Sequence, residues 1–278
     1  MKKIGVFNKA IECVGTFNLF YGSKMGKEYI ITPPYSTDIG LVYKSDASTN
    51  YQKSKIAKNI LEAIDNFLKE QKVLFIDIIF PPHFTDGQPF NWSGYSLENK
   101  YTYILDLAQS PEELISQMSP ERRKNIKDGY KNILIEKCDD QELIKSKIKL
   151  SLNENKAHYN NDIVDGIIKN MNSDKNHICL KSYLNGQLTS IHSIVKDENV
   201  AYYLFGWSDK SVSSYAGTIG LWSCIMESKN HGVKSFNFAG SSIPAVEKYF
   251  RGFGPTLIPM LNIKKQSTIG SIILKFKK

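Results

Sequence analysis

Four cysteines in 278 residues, Cys13, Cys138, Cys179 and Cys224, share no short spacing, and the five histidines are as scattered. That excludes the ligand spacing of a structural zinc site and a disulfide framework of the kind that staples small secreted domains. Reduced thiols are the expectation, with no metal and a cytoplasmic location, the inner face of a membrane included. No apolar run approaches the ~20 residues that span a bilayer. Asn8, Lys9 and Glu12 interrupt the one stretch that could form the apolar core of a signal peptide. Low-complexity linkers and internal repeats are missing as well.

What is present is enough for a folded core. The chain is 41% apolar and 12% aromatic, which excludes disorder, and its length suits two modest domains or one large one. The net charge is +8, unevenly placed: 12 Lys and Arg stand against 11 Asp and Glu up to residue 110, and 24 against 17 beyond it. The excess is densest in "RRKNIKDGYK" (122–131) and from Lys264 to Lys278. Such an excess fits an acidic partner, such as nucleotide phosphates, tRNA or an anionic membrane face; it fits a lysine-rich solvated surface equally well.

Periodicity supplies the elements. Residues 28–32 and 39–43 read as strands around Pro33-Pro34. Ile56, Ile60, Ile64 and Leu68 recur at helical spacing over 51–71. "VLFIDIIF" (73–80) reads as a buried strand and "YTYILDL" (101–107) as another. Ser110-Pro111-Glu112 is a helix start, with one or two helices running to about Lys131. A strand at 133–138 and helices near 140–155 and 161–171 follow. Strands at 177–184 and 187–195 flank Asn185-Gly186, the pair that suits a hairpin turn of positive φ. A strand at 201–207 precedes a helix over about 215–229 that turns Ile219, Trp222, Ile225 and Met226 inward. The set closes with a strand around Phe236 and Phe238, a short helix and a strand at 257–263. The whole is α/β with a mixed sheet. In "FNFAGSSIPAVEKYFRGFG" (236–254), small residues separate the strand from the helix. Pro244 sits in the first helical turn, and Ser241 or Ser242 is expected to cap it.

This order resembles a GNAT-fold acyltransferase domain. Ser242, Ala245 and Tyr249 keep the spacing of a GNAT segment that runs Asn, Ala three on and Tyr seven on, with the closing Gly-Phe reversed as Phe253-Gly254. "EKYFRGFG" resembles the Phe-Lys-Lys-Gly-Phe-Gly corner of Fem-type peptidyltransferases, with Arg251 at a Lys position. "SPERRKNIKDG" resembles the Arg-rich helix that joins the halves of that superfamily. Together with "HFTDGQPFNWSGYSLENKYTYILDL" (83–107), the likeness extends over residues 73 to 265. It implies a GNAT-like mixed sheet with flanking helices and two GNAT-like halves, the second complete. The expected division is a degenerate N-terminal half over 1–110 and an acyltransferase half over 111–278 that begins with a basic linking helix, 111–131.

The resemblance also implies a chemistry, transfer of an acyl group to an amine. The donor would be acetyl-CoA or another acyl-CoA, and the acceptor a small molecule or glycan precursor. Many GNAT enzymes hold the coenzyme A pyrophosphate on a Gln/Arg-x-x-Gly-x-Gly/Ala loop. Here "SSYAGTIGLW" (213–222) keeps Gly217 and Gly220 but has no leading Arg or Gln, and Ile219 fills the small position. Tyr215, Gly217, Gly220, Ser241 and Ser242 are the candidate cofactor-binding residues, since open N–H groups at a helix start hold phosphate. The alternative donor is an aminoacyl-tRNA, as in Fem proteins; the missing coiled-coil insertion favours acyl-CoA. A ligand-binding relative without chemistry is a third class. The oligomeric state is not set by the sequence.

Acyl transfer needs a proton acceptor, an oxyanion stabiliser and positioning. The candidate catalytic residues are His192, Glu247 and Arg251. Each has a plainer reading: a hydrogen-bonded core histidine, a first-turn acid and a helix-end salt bridge. Asp77, a carboxylate in an apolar strand, has either a partner or a role in acceptor binding. Arg122 and Arg123, with Lys124 and Lys127, can grip an anionic substrate or form a solvated face. Tyr203 can line a cleft or belong to the core.

Overall fold

The computed structural model describes residues 1–155, 159–171, 175–240 and 243–267. Two compact units emerge, one comprising Met1–Tyr101 and the chain from Ile258 onward, the other Thr102–Leu257. The sequence reading divides the chain near residue 110; the contacts divide it within a strand, and the last strand returns to the first unit. Among the described residues no helix is long and apolar enough to cross a membrane.

The first unit contains β1 (Lys2–Phe7), β2 (Cys13–Lys24), β3 (Lys27–Ile31), β4 (Val42–Tyr43), α1 (Asn50–Glu70), β5 (Phe75–Ile79), α2 (Gln88–Trp92) and the start of β6 (Ser96–Asp106). β1, β2 and β3 are antiparallel neighbours, and β3 runs parallel to β5. The expected strand at 39–43 shrinks to the two residues of β4, although Ile39 and Leu41 are fully buried. α1 opens with a capping box between Thr49 and Gln52 and buries Ile60, Leu61, Ile64 and Leu68. Ile56 packs at the margin of that core. The strand over 73–80 is buried on one face only: Ile76 and Ile78 point inward while Asp77 and Ile79 are half-exposed. An unbroken apolar run does not tell one-sided from two-sided burial.

The second unit follows with α3 (Pro111–Ser116), α4 (Pro120–Asn132), β7 (Leu134–Lys137), α5 (Gln141–Glu154), α6 (Asn161–Lys169), β8 (His177–Leu184), β9 (Gln187–Lys196), β10 (Val200–Ser208), α7 (Ala216–Asn230), β11 (Ser235–Asn237) and α8 (Pro244–Arg251); β12 (Thr256–Gln266) is the last element of the described residues. Strands lie in the order β6-β11-β10-β9-β8-β7. All neighbours are antiparallel except β10 and β11, which α7 connects. Asn185 and Gly186 take φ of 50° and 79°, the turn expected between β8 and β9. α7 buries Ile219, Trp222 and Ile225 and packs on β8 and β9.

The basic helix α4 belongs wholly to this unit. Gly129 lets it meet α7 closely: a Cβ there would stand 2.5 Å from Cβ of Ile219. At the start of α8 the cap position is Ile243, with no side-chain bond to the helix, and Pro244 is the first helical residue. The expected serine cap rests on Ser241 or Ser242. Ser241 and Ser242 themselves lie outside the described residues.

Candidate active site

The parallel pair β10–β11 is short. Val200, Ala201 and Tyr202 pair with Ser235, Phe236 and Asn237, and there the pairing ends while β10 runs on to Ser208. A register shift between Tyr203 and Phe205 bends β10 against β9 at the same level. The chain leaving β11 is held by side chains and by β6. Phe238 N–H donates to the Tyr103 carbonyl (2.9 Å), and the buried Asn237 carboxamide oxygen accepts from Ala239 N–H (2.8 Å) and from the Thr102 hydroxyl. Ala239 and Gly240 then both take positive φ, 61° and 66°. For alanine that conformation costs about 1–2 kcal/mol. The carboxyl ends of two parallel strands, parted and followed by a strained turn, frame the mouth of the candidate site.

α8 brings its polar side to this mouth. Arg251 Nε lies 3.2 Å from Glu247 Oε1, one turn earlier, and the same oxygen accepts from the Tyr103 hydroxyl. Tyr103 is only 6% exposed, whereas the Arg251 side chain is 63% exposed. Two catalytic candidates are thus brought together with a third residue that sequence reasoning missed. The bond to the Glu247 carboxylate, with burial, raises the Tyr103 pKa above the usual tyrosine value. Its only trace in the sequence is a polar-tipped aromatic in the inward register of "YTYILDL".

The inner side of α8 is aromatic. Phe250 packs edge-on against Tyr203 (5.4 Å between ring centres) and at 5.2 Å against Phe238. Tyr249 donates to the Gly217 carbonyl in the first turn of α7 (2.9 Å). The Arg122 guanidinium sits 4.5 Å above the Tyr249 ring, and Arg122 is only 8% exposed. Among the described residues its Nε has no hydrogen-bond partner, and its Nη1 reaches Glu121 at 3.0 Å. Arg122 is accordingly a buried cation clamped on the aromatic corner. The solvated-face reading does not describe it. Arg123 is exposed, with Nη1 donating to the Ser116 carbonyl. Gly254 of the corner is required: it has φ of 77°, and a Cβ there would stand 2.6 Å from the Gln117 carbonyl oxygen.

The start of α7 is filled from within. Ser213 Oγ accepts from Tyr215 and Ala216 N–H (3.3 and 3.0 Å), and the Tyr215 carbonyl accepts from Thr218 N–H (3.0 Å). Three of the four N–H groups that a helix start leaves open thus have partners in the chain. Gly220 is buried against the sheet: a Cβ there would lie 2.7 Å from His192 Cδ2 and from Ser190 Oγ. It serves helix-to-sheet packing.

His192 lies beneath α7, 3% exposed, with Nδ1 3.3 Å from the Tyr203 hydroxyl. Nε2 faces the Gly217 carbonyl without a well-formed hydrogen bond. Burial lowers its pKa to about 4, so the imidazole is neutral at pH 7. Burial likewise pushes the Tyr203 hydroxyl well above its usual pKa. Asp77 lies in the first unit. Its Oδ1 accepts from the buried Asn262 carboxamide (2.8 Å), Lys264 stands 3.9 Å from Oδ2, and its side chain is 41% exposed. The cost anticipated for a buried, unpaired carboxylate does not arise.

No family model and no curated protein matches the chain. Solved structures do. FemX superposes with a TM-score of 0.72 at 12% identity, over 98% of this chain and 89% of that one. The C-terminal domain of a protein described as a lysylphosphatidylglycerol synthetase, from Agrobacterium fabrum, gives 0.60 at 10% identity, over 98% and 87%. A tandem GNAT protein from the clavulanic acid biosynthesis pathway gives 0.52 at 10% identity, over 93% and 81%. The chain thus shares the GNAT-type fold of these structures, with two GNAT-like halves.

Proposed function

We propose that this protein is an N-acyltransferase that moves an acyl or aminoacyl group from a carrier to the amine of a small or cell-envelope-precursor substrate. One observation carries the reading: the Tyr103–Glu247–Arg251 group stands beside the parting of β10 and β11. In a GNAT fold the donor and acceptor meet at that parting. Attack of an amine on an acyl carbonyl puts negative charge on the carbonyl oxygen and leaves a proton to be removed. Arg251 supplies the cation for the oxyanion. Glu247, 31% exposed and anchored by Tyr103, is the carboxylate we assign to take the proton.

Two donors fit the chemistry. Acetyl-CoA or another acyl-CoA would place its pyrophosphate at the start of α7. A specific observation favours the second donor, an aminoacyl-tRNA: Ser213 and Tyr215 already occupy three of the four N–H groups there, and Gly220 is committed to packing. Acyl-CoA remains the donor to beat, because its test is direct. Calorimetry with coenzyme A and acetyl-CoA up to millimolar concentration should give no heat, while radiolabel from a mixed aminoacyl-tRNA pool should pass to acid-soluble amines. Micromolar coenzyme A binding would reverse the choice of donor. Under either donor, Arg251→Met should lower kcat about 10²-fold, as loss of one oxyanion donor does. The exposed side chain predicts little change in Tm. A stable variant with full kcat removes Arg251 from the chemistry.

A further inference from the structure

Two of the four cysteines, far apart in the sequence, are brought together by the sheet. β7 and β8 pair with Glu136 opposite Lys181 and Lys137 opposite Leu180. One step further in the same register Cys138 stands opposite Cys179, and Cys138 N–H donates to the Cys179 carbonyl (2.9 Å). Opposed residues of an antiparallel pair point to one face, with Cα atoms about 5.5 Å apart at a hydrogen-bonded position. That separation lies within the roughly 4.4–6.8 Å over which a disulfide closes. The preceding pair on this face confirms the register, since Lys181 Nζ reaches Glu136 Oε2 at 3.5 Å.

The thiols themselves are hydrogen-bonded. Cys179 donates to the Cys138 sulfur, and the N–H of Asp140, the cap residue of α5, bonds the same sulfur. These bonds lower the Cys138 pKa against the effect of burial, whereas the thiol contact and burial together raise that of Cys179. One sulfur of the pair is thus favoured as thiolate and the other as thiol, the asymmetry that an attacking and a resolving cysteine need. Both lie in the apolar cluster of Ile144, Ile148 and Ile191, 2% and 5% exposed. Among the described residues no third ligand stands with them to hold a metal ion. β7 is the edge strand and four residues long, so few bonds break when it opens to admit a small molecule.

We propose that Cys138 and Cys179 are a redox-active dithiol, which a peroxide oxidises to a disulfide and a low-molecular-weight thiol reduces again. The Cys138 thiolate attacks one peroxide oxygen and the O–O bond breaks. Cys138 becomes a sulfenic acid, and the departing hydroxide takes a proton to leave as water. The Cys179 sulfur then attacks the Cys138 sulfur, and its proton leaves with the sulfenic hydroxyl as a second water. The two sulfurs lose the two electrons that the peroxide gains. Two glutathione thiols reverse the change by exchange and leave as glutathione disulfide. The bridge fastens the start of α5 to β8. Further along α5, Ser151 Oγ donates to the Gly206 carbonyl (2.7 Å), beside the bend of β10 at the mouth of the candidate site. Oxidation therefore stiffens a helix that supports the site, whichever donor the site takes.

The test uses the full chain with Cys13→Ser, because Cys13 is exposed and would link two molecules. The reduced, folded protein is treated with hydrogen peroxide, the remaining thiols are blocked in acid, and the tryptic peptides are weighed. The expected product joins CDDQELIK (138–145) to NHICLK (176–181) with the loss of two hydrogens. Closing the long loop between the two cysteines should raise Tm by about 5–10 °C. Millimolar glutathione should restore both the thiols and the lower Tm. In Cys179→Ala, Cys138 should persist as a sulfenic acid that dimedone labels; in Cys138→Ala, Cys179 should stay unlabelled. The peptide map of the parent stands whether or not either variant folds. Thiols that survive excess peroxide overturn the proposal, as does a bridge that forms only in urea. Oxidation to sulfinic acid without a bridge, or a bridge that glutathione does not open, overturns it equally. No acyl transfer is read, so the enzymatic reading and this one fail separately.

Discussion

Acid should destabilise this protein through two histidines. His177 and His192 are 4% and 3% exposed, and burial lowers the pKa of each to about 4. His177 Nε2 lies 2.8 Å from Ser193 Oγ, and among the described residues no carboxylate is bonded to either ring; the Asp139 charge only partly offsets burial at His177. In the unfolded chain both titrate near 6.5. Below that pH the unfolded state binds protons that the folded state refuses, so stability falls as pH drops from about 6.5 towards 4 and is flat above 7. With these values each ring withdraws about 2 kcal/mol at pH 5 and about 3 kcal/mol once both states are protonated. Urea unfolding at pH 7.5 and pH 5.0 measures the loss. The single variants His177→Asn and His192→Gln should each recover about 2 kcal/mol of the pH-dependent part, whatever they do to the baseline. Imidazole resonances provide a check that needs no unfolding: they should stay in the neutral position down to about pH 5. A His192 resonance that titrates near 6.5, with no change of pH dependence in His192→Gln, would refute the buried-imidazole reasoning and return this residue to the list of candidate bases.

The remaining expectations concern α7 and β6. Gly220→Ala removes backbone freedom from a helix, worth about 1 kcal/mol in its favour. It also drives a methyl to within 2.7 Å of His192 and Ser190, where overpacking costs about 1–3 kcal/mol. The net should be a lower Tm by a few degrees in a thermal melt; an unchanged Tm with lost donor binding would make Gly220 a ligand contact instead. Tyr103→Phe leaves Glu247 without its hydroxyl partner, and such a bond to a charged group is worth about 1.5–3 kcal/mol. If Tyr103 positions Glu247 for proton removal, kcat should fall with KM nearly constant and the acid limb of the pH–rate profile should move. A variant with lower stability and an unaltered profile would reduce Tyr103 to a packing residue.

Much of the second unit was legible from local chemistry. The Ser110-Pro111 helix start, the Asn185-Gly186 hairpin and the inward face of α7 follow from capping, φ preference and 3.6-residue spacing, which act within a few residues of chain. The order of elements came from periodicity and turn signals, and the motif around Arg251 put Glu247 and Arg251 on one helix, where i and i+4 must be neighbours. The strands β1 and β2 could also have been read, since Gly15, Phe17 and Leu19 alternate inward, but glycine, threonine and asparagine dilute the apolar signal there. What no local rule reaches is the joining of distant segments. Tyr103 meets Glu247 across 144 residues because β6 pairs beside β11. Trp222 steadies Tyr130 because Gly129 admits α7 against α4. His192 and Arg122 have side chains that, in the sequence, suit a solvent-facing site as well as a core. Only the packing of α7 over β9, and of α8 on the Arg122 guanidinium, decided that both are buried, because burial depends on what the rest of the chain lays over a residue.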